Sequence, residues 1–141
     1  MSGFVLNEFL PYQLAVLSNR VSREFSAQYK ERFGISVPEW RVVAHLSQSE
    51  KPLSVREIFE RVDMDKSKVS RAATRLEKLG YLTKTTNPED RRLIELALTA
   101  EGSAMVSELA PMARAFEQEV LDRLGKSAPA FRKAIGQLLG N

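Results

Sequence analysis

Between Asp65 and Gly80 the chain gathers short hydroxyl side chains and long cations on one side of a helical repeat. Lys66, Ser67, Lys68, Ser70, Arg71, Thr74, Arg75 and Lys78 fall opposite Val69, Ala72, Ala73, Leu76 and Leu79, and no acid joins them before Glu77. The chemistry open to such a face is recognition of a polyanion. Serine and threonine can approach base edges or phosphates, and the arginine fork matches the paired acceptors of a guanine edge in a major groove. A second basic group follows at Lys84, Arg91 and Arg92. From Lys66 to Arg92 there are eight basic residues against three acids, Glu77, Glu89 and Asp90, in a chain whose net charge is only +3. The rest of the chain is therefore slightly acidic, and the basic excess is local. That distribution is the footprint of a surface facing a polyanion. A merely solvated basic face is the alternative, so the elements around it decide.

Other chemistries are mostly closed. With one histidine, His45, and no cysteine, disulfide scaffolds, cysteine zinc sites, iron–sulfur clusters and thiol redox sensing are excluded. The acids show no EF-hand spacing, and no phosphate-binding glycine loop or nucleophile elbow occurs. His45 follows Val42, Val43 and Ala44 and reads as a core or interface histidine ahead of a ligand contact. Trp40 reads as core filler ahead of a cofactor platform. No enzymatic activity, metal or cofactor is expected. At 141 residues, 43% hydrophobic and 28% charged, with seven Gly and six Pro, the composition is that of an ordinary folded protein. No stretch approaches the roughly 18 apolar residues of a membrane span. Met1-Ser2-Gly3-Phe4 puts no basic segment ahead of an apolar run. No membrane association is expected, and the expected address is cytoplasmic.

The elements that position the basic face follow from periodicity and caps. Leu10, Leu14, Leu17, Val21, Phe25, Tyr29 and Phe33 form one stripe on a long helix that ends near Gly34. Ser36-Val37-Pro38-Glu39 is a capping box for a second helix, with Trp40, Val43, Ala44 and Leu46 inward. Ser47 to Pro52 is a loop. Ser54-Val55-Arg56-Glu57 is a second box, opening a short helix with Val55, Ile58, Phe59 and Val62 inward. Asp63-Met64-Asp65 breaks it, and Asp65 caps the basic helix, about 65–79. Tyr81 to Thr86 and Leu93 to Leu98 predict a hairpin about a polar, Arg-tipped loop, with Ile94, Leu96 and Leu98 on one side. Thr99 caps a long helix with Met105, Leu109, Met112, Phe116, Val120 and Leu124 as its stripe, bent at Pro111. Gly125 stops it. Ser127 then caps a final helix that buries Phe131, Ile135, Leu138 and Leu139.

A tight turn between two short helices, the second basic outside, is a helix-turn-helix pattern; the hairpin of about 81–98 makes it a winged helix. Ser67-Lys68-Val69-Ser70-Arg71 and Leu76-Glu77-Lys78-Leu79-Gly80-Tyr81-Leu82 resemble the recognition helix of the MarR family of bacterial transcription regulators and its exit. Asn87-Pro88-Glu89-Asp90-Arg91-Arg92 and Leu98-Thr99-Ala100-Glu101-Gly102 resemble that family's wing and the entry to its long helix. The resemblance implies an Asp-x-Arg wing motif at Asp90 and Arg92, and it aligns Arg71 with the family's recognition-helix arginine. The fold expected is mainly α with a minor β component, a single domain over 1–141. Residues 36–99 form its winged lobe, and 9–33 with 100–141 a helical dimerisation lobe made by both chain termini.

Left uncovered, Leu14, Leu17, Phe116, Val120, Leu138 and Leu139, with Phe131 of the last helix, would expose an apolar patch beyond what monomers carry. A two-fold dimer covers it and sets two recognition helices about one duplex turn, roughly 34–36 Å, apart. The resemblance implies the same dimer. The expected function is a sequence-specific DNA-binding regulator, a repressor on a pseudo-palindromic operator. Lys66, Lys68, Arg75 and Lys84 are assigned to phosphates. Ser67, Ser70, Arg71 and Thr74 are assigned to base edges, Arg92 to the minor groove beside Arg91 on the wing, and Asp90 to orienting arginine. The resemblance further implies release by a small aromatic or anionic effector, in a cleft for which Tyr12, Arg20, Trp40, His45 and Met112 are chosen. The alternatives are a winged helix that docks an acidic protein partner and a constitutive DNA-binding protein with no effector.

Overall fold

Side-chain caps set the starts of the second, third and fourth helices. The computed structural model describes residues 3–141; Met1 and Ser2 of the N-terminal stretch considered above lie outside them. After a 3-10 turn at Leu6–Glu8, helix α1 spans Leu10–Phe33 and stops at Gly34, whose N–H bonds Lys30 O at 2.9 Å. Helix α2, Val37–Ser47, opens on the expected box: Ser36 Oγ accepts from Glu39 N–H, and Glu39 Oε1 accepts from Ser36 N–H at 3.0 Å. Helix α3, Val55–Val62, opens on the second box. There Ser54 Oγ accepts from Glu57 N–H at 3.0 Å, and Glu57 Oε1 accepts from Ser54 N–H at 3.2 Å. Ser54→Ala removes one half of that box. It is expected to lower unfolding free energy by about 1 kcal/mol in urea titration, at unchanged m value.

Asp63 enters the left-handed region at φ 54°, which ends α3 within one residue. Asp65 then accepts from Lys68 N–H at 2.8 Å and starts α4, Lys66–Lys78. Gly80, at φ 87°, lets the chain reverse out of α4, a conformation that a Cβ would penalise. Strands β2 (Leu82–Thr86) and β3 (Ile94–Leu98) pair antiparallel, with Lys84 opposite Leu96. A further strand that no spacing in the sequence predicts, β1 (Leu53–Ser54), follows the Ser47–Pro52 loop and adds to the other edge of β3, Leu53 opposite Leu96; the sheet order is β1-β3-β2. The core of this part holds Tyr29, Ile35, Val42, Val43, Ile58, Val69, Leu76, Leu82 and Leu96, each at most 1% exposed. In α2 it is Val42, beside Val43 and Leu46, that is fully enclosed, while Trp40 and Ala44 are half-buried. Leu79, expected inward, is 43% exposed: it is the C-cap of α4, already turning away toward Gly80. Ile94 is also exposed, at the wing end of β3 where no layer covers it.

Helix α5 spans Ala100–Leu124 and runs through Pro111 without interruption. Its start is fastened to the end of α4. Thr99 Oγ1 donates to Gly80 O at 2.6 Å and accepts from Gly102 N–H at 3.0 Å, while Thr99 N–H donates to Tyr81 O at 3.0 Å. Gly125 and a 3-10 turn (Gly125–Ser127) follow, then α6, Ala128–Leu139. Ser127 does not cap α6 with its side chain as expected. The 3-10 turn feeds directly into the helix, so Ser127 has a helical backbone (φ −80°, ψ −12°) instead of the extended one an N-cap needs.

The chain divides inside α5 into two compact units, one reaching Glu108 and one spanning Leu109–Asn141. The second contains the rest of α5, where Leu109 and Phe116 are buried and Val120 is half-buried, and α6, whose Leu138 and Leu139 are about 70% exposed. The apolar face of α6 is thus mostly presented to solvent, with Phe131 half-buried and Ile135 exposed. Among the described residues no helix is long and apolar enough to cross a membrane.

Candidate nucleic-acid interface

Helix α4 has two chemically distinct sides because its apolar residues recur at helical spacing and its polar ones fill the gaps. Val69, Ala72, Ala73 and Leu76 are buried at 0–3% exposure. Lys66, Ser67, Lys68, Arg71, Thr74 and Lys78 are exposed, and Ser70 is half-buried. The tight α3–α4 connection at Asp63–Asp65 gives the helix-turn-helix, and β2 and β3 give the wing.

The assigned residues do not stand alike. Arg71 makes no ion pair or side-chain hydrogen bond among the described residues and projects freely. Thr74 is engaged on both sides: its hydroxyl donates to Ser70 O at 3.0 Å and accepts from Lys84 Nζ at 2.9 Å. Lys84, on β2, is thereby drawn against the recognition helix. Arg75 is held by two acceptors that no pattern in the sequence pairs with it, the Glu39 carboxylate and Gly34 O.

The wing loop is stiffened from within. Asn87 Oδ1 accepts from Glu89 and Asp90 N–H at 2.8 and 3.1 Å, and Asn87 Nδ2 donates to Glu95 at 2.8 Å. Leu93 N–H closes on Asp90 O at 3.0 Å. Arg92 forks onto Asp90, with Nε to Oδ1 at 3.1 Å and Nη2 to Oδ2 at 3.2 Å, and its own N–H also reaches Oδ1. These bonds hold the Asp90 carboxyl below its ordinary range. The guanidinium remains 90% exposed, oriented yet accessible. Arg91 is exposed beside it. Between α3, α4 and the wing lies a groove of about 460 Å³. Its lining includes Arg56 and Phe59 of α3, outside the set assigned to DNA, with Lys66, Ser70 and Arg92 of that set.

The residues chosen for an effector are only partly brought together. Tyr12 and Arg20 share a shallow depression of about 260 Å³ on α1 with Asn7, Gln13, Val16 and Leu17. Trp40 belongs to an aromatic cluster with Phe25 and Tyr29, at centroid distances of 5.5 and 5.8 Å. Burial there pushes the Tyr29 hydroxyl up to about 12, with Glu39 adding to the effect and Arg41 opposing it. His45 is half-buried, and burial, with the Arg61 charge, lowers its pKa so that the neutral imidazole is favoured. Met112 is half-buried in the second unit.

A two-stranded wing within a three-stranded sheet, set on a helix-turn-helix with a basic second helix and an arginine-bearing loop, defines a winged helix-turn-helix protein of the DNA-binding class. A family model described as MarR family matches residues 33–93, the span from the end of α1 to the wing. The HTH-type transcriptional regulator PapX of Escherichia coli is 28% identical over 123 residues, 86% of this chain and 75% of PapX. A MarR/EmrR family regulator from Acinetobacter sp. ADP1 superposes with a TM-score of 0.82 at 25% identity, covering 98% of this chain and 96% of that one. Bordetella bronchiseptica BpsR, solved with a mechanism for regulation of its DNA binding by 6-hydroxynicotinic acid, gives 0.81 at 25% identity, over 98% and 95%. The chain thus carries a MarR-family match over residues 33–93, and over most of its length it is similar to HTH-type transcriptional regulators.

Proposed function

We propose that the protein is a homodimeric, effector-released repressor that binds a pseudo-palindromic operator. The observation that carries this reading is the pairing of a free, exposed Arg71 on α4 with an oriented, exposed Arg92 on the wing. The first suits a major-groove edge, the second a narrow minor groove. Ser67 and Ser70 join Arg71 at base edges, while Lys66, Lys68 and Lys84 meet phosphates, with Arg91 beside them on the wing. Thr74, bonded to Ser70 and Lys84, serves better as the anchor of Lys84 than as a base reader. Asp90 orients Arg92. Residues 36–99 act as the DNA-binding lobe, and 9–33 with 100–141 as the dimerisation lobe.

Dimerisation is supported by apolar side chains left in solvent at both ends of the chain: Leu10, Leu14 and Leu17 on α1 and Leu138 and Leu139 on α6, each more than 40% exposed. Phe131 and Val120, half-buried, and Phe116, buried, are assigned to the same interface. Sedimentation of the wild-type chain is expected to give twice the 15.9 kDa mass. Leu138→Glu with Leu139→Glu is expected to shift it to the monomer and weaken operator binding, because two half-sites are then no longer linked. A wild-type monomer at micromolar concentration contradicts the dimer.

Effector release is supported by the likeness to BpsR, whose DNA binding is regulated by 6-hydroxynicotinic acid. A ligand of this kind, an aromatic or acyl anion, acts only if it binds the DNA-competent and DNA-incompetent forms unequally, typically by about 1–3 kcal/mol. Arg20 and Tyr12 on α1 and Trp40, His45 and Met112 remain the chosen contacts. The test is a mobility shift on DNA from upstream of the protein's own coding sequence, repeated with phenolic and heteroaromatic carboxylates. Retardation that one of them reverses supports the reading. Retardation that none reverses favours a constitutive DNA-binding protein, and no retardation favours a winged helix that docks a protein partner.

A further inference from the structure

We propose that Arg75 is a positioning residue, clamping the last turn of the recognition helix to the α1–α2 junction through buried Glu39, and not a phosphate contact. The inference deepens the DNA-binding reading above and rests on it. One guanidinium nitrogen, Nη1, donates both to the Glu39 carboxylate and to Gly34 O, the latter at 3.1 Å. Gly34 is the left-handed residue that ends α1, with φ 69°. Glu39 Oε1 also accepts the Ser36 N–H that opens α2. A single nitrogen and a single oxygen thus join three helix ends.

The pair is asymmetric in burial. The Glu39 side chain is only 8% exposed and that of Arg75 is 50% exposed. A carboxylate so enclosed needs a cation beside it, since an unpaired buried charge is strongly disfavoured. Arg75 is the cation that meets this need. Lys66, Lys68, Arg71 and Lys78 on the same helix have no acid partner among the described residues and keep their charge for a polyanion. Arg75 already faces a carboxylate, so its field at a phosphate is largely cancelled. Next to it, Thr74 takes the Lys84 ammonium, which links the wing to the same turn of α4. The orientation of the reading face is therefore set from both sides at residues 74 and 75.

The test uses the full-length chain, a duplex selected by it from a random pool, and a random-sequence duplex, with Arg75→Gln, Glu39→Gln and the double variant. Glu39→Gln keeps an oxygen for the Ser36 cap and removes only the charge. A clamp predicts that each single variant loses about tenfold in affinity on the selected duplex and the double loses no more than either, the non-additivity of a shared contact. It also predicts that the slope of log K against log salt stays at the wild-type value. A phosphate contact predicts the opposite: Arg75→Gln flattens the slope by about one unit and Glu39→Gln, which removes an acid near DNA, binds as well as wild type or better. That result overturns the proposal. Urea unfolding of the same four proteins is read without DNA. Additive losses there overturn the clamp whatever happens on DNA. Non-additive losses in a wild-type chain that binds neither duplex overturn the DNA-binding reading and leave the Glu39–Arg75 bond standing.

Discussion

Gly102→Ala is expected to lower unfolding free energy by about 2–3 kcal/mol and the melting temperature by on the order of 10 °C. Helix propensity alone predicts a gain of up to about 1 kcal/mol for such a change. The site reverses the sign. A Cβ on Gly102 would overlap the Tyr81 carbonyl oxygen and stand 3.1 Å from Leu98 Cδ2. Tyr81 O cannot simply retreat, because it accepts the Thr99 N–H that fastens the start of α5 to the exit of α4. Relief requires backbone movement at the base of the wing, so DNA affinity is expected to fall along with stability. Gly136→Ala is the internal control: it lies within α6 with nothing inside 4 Å of its added Cβ, and it should leave stability unchanged or slightly raised. Paired thermal melts decide. Equal melting temperatures for Gly102→Ala and wild type contradict the close approach of α5 to Tyr81.

Arg71→Ala is expected to cost about 1–3 kcal/mol on a duplex selected by the protein, a loss of roughly 5- to 150-fold, if it makes a bidentate base contact. On random duplex the loss should be much smaller, so the ratio of specific to non-specific binding falls. Arg71 suits this role because it is exposed and has no side-chain hydrogen-bond or ion-pair partner to abandon among the described residues. Arg92 differs in that it is already forked onto Asp90. Arg92→Ala should weaken binding to both kinds of duplex, most where flanks are A·T-rich, and flatten the salt slope. Lys30→Ala, on α1, is the control and should do little. Wild-type affinities for both arginine variants contradict the assignment of this face to DNA.

The elements that place these residues were legible where local chemistry decides. Ser36 with Glu39, and Ser54 with Glu57, are three residues apart, so both boxes could be written from spacing. Asp65 and Gly80 bracket α4 for the same reason. The alternation from Leu93 to Leu98 gave the hairpin. What escaped depends on distant partners. Strand β1 is two residues long and exists because Leu53 and Ser54 meet Leu96 and Glu95 across the sheet. The inner role of Arg75 needs Glu39, 36 residues away. The bond from Lys84 to Thr74 joins two elements, and no spacing in the sequence pairs them. Ser127 had a capping residue type in a backbone conformation that cannot cap. At the basic face, composition indicated where a polyanion would meet the chain, and the fold sorted its cations into free and engaged.

The most direct measurement is the salt dependence of wild-type binding to a random-sequence duplex. The proposed dimer, meeting DNA with Lys66, Lys68, Lys84 and Arg92 on each protomer, releases counterions from about eight phosphates, for a slope of about −7 in log K against log salt. A slope of that size, shallower in Lys66→Ala, is the predicted result. No binding to duplex, or binding indifferent to salt, would contradict the reading of this face as a DNA surface.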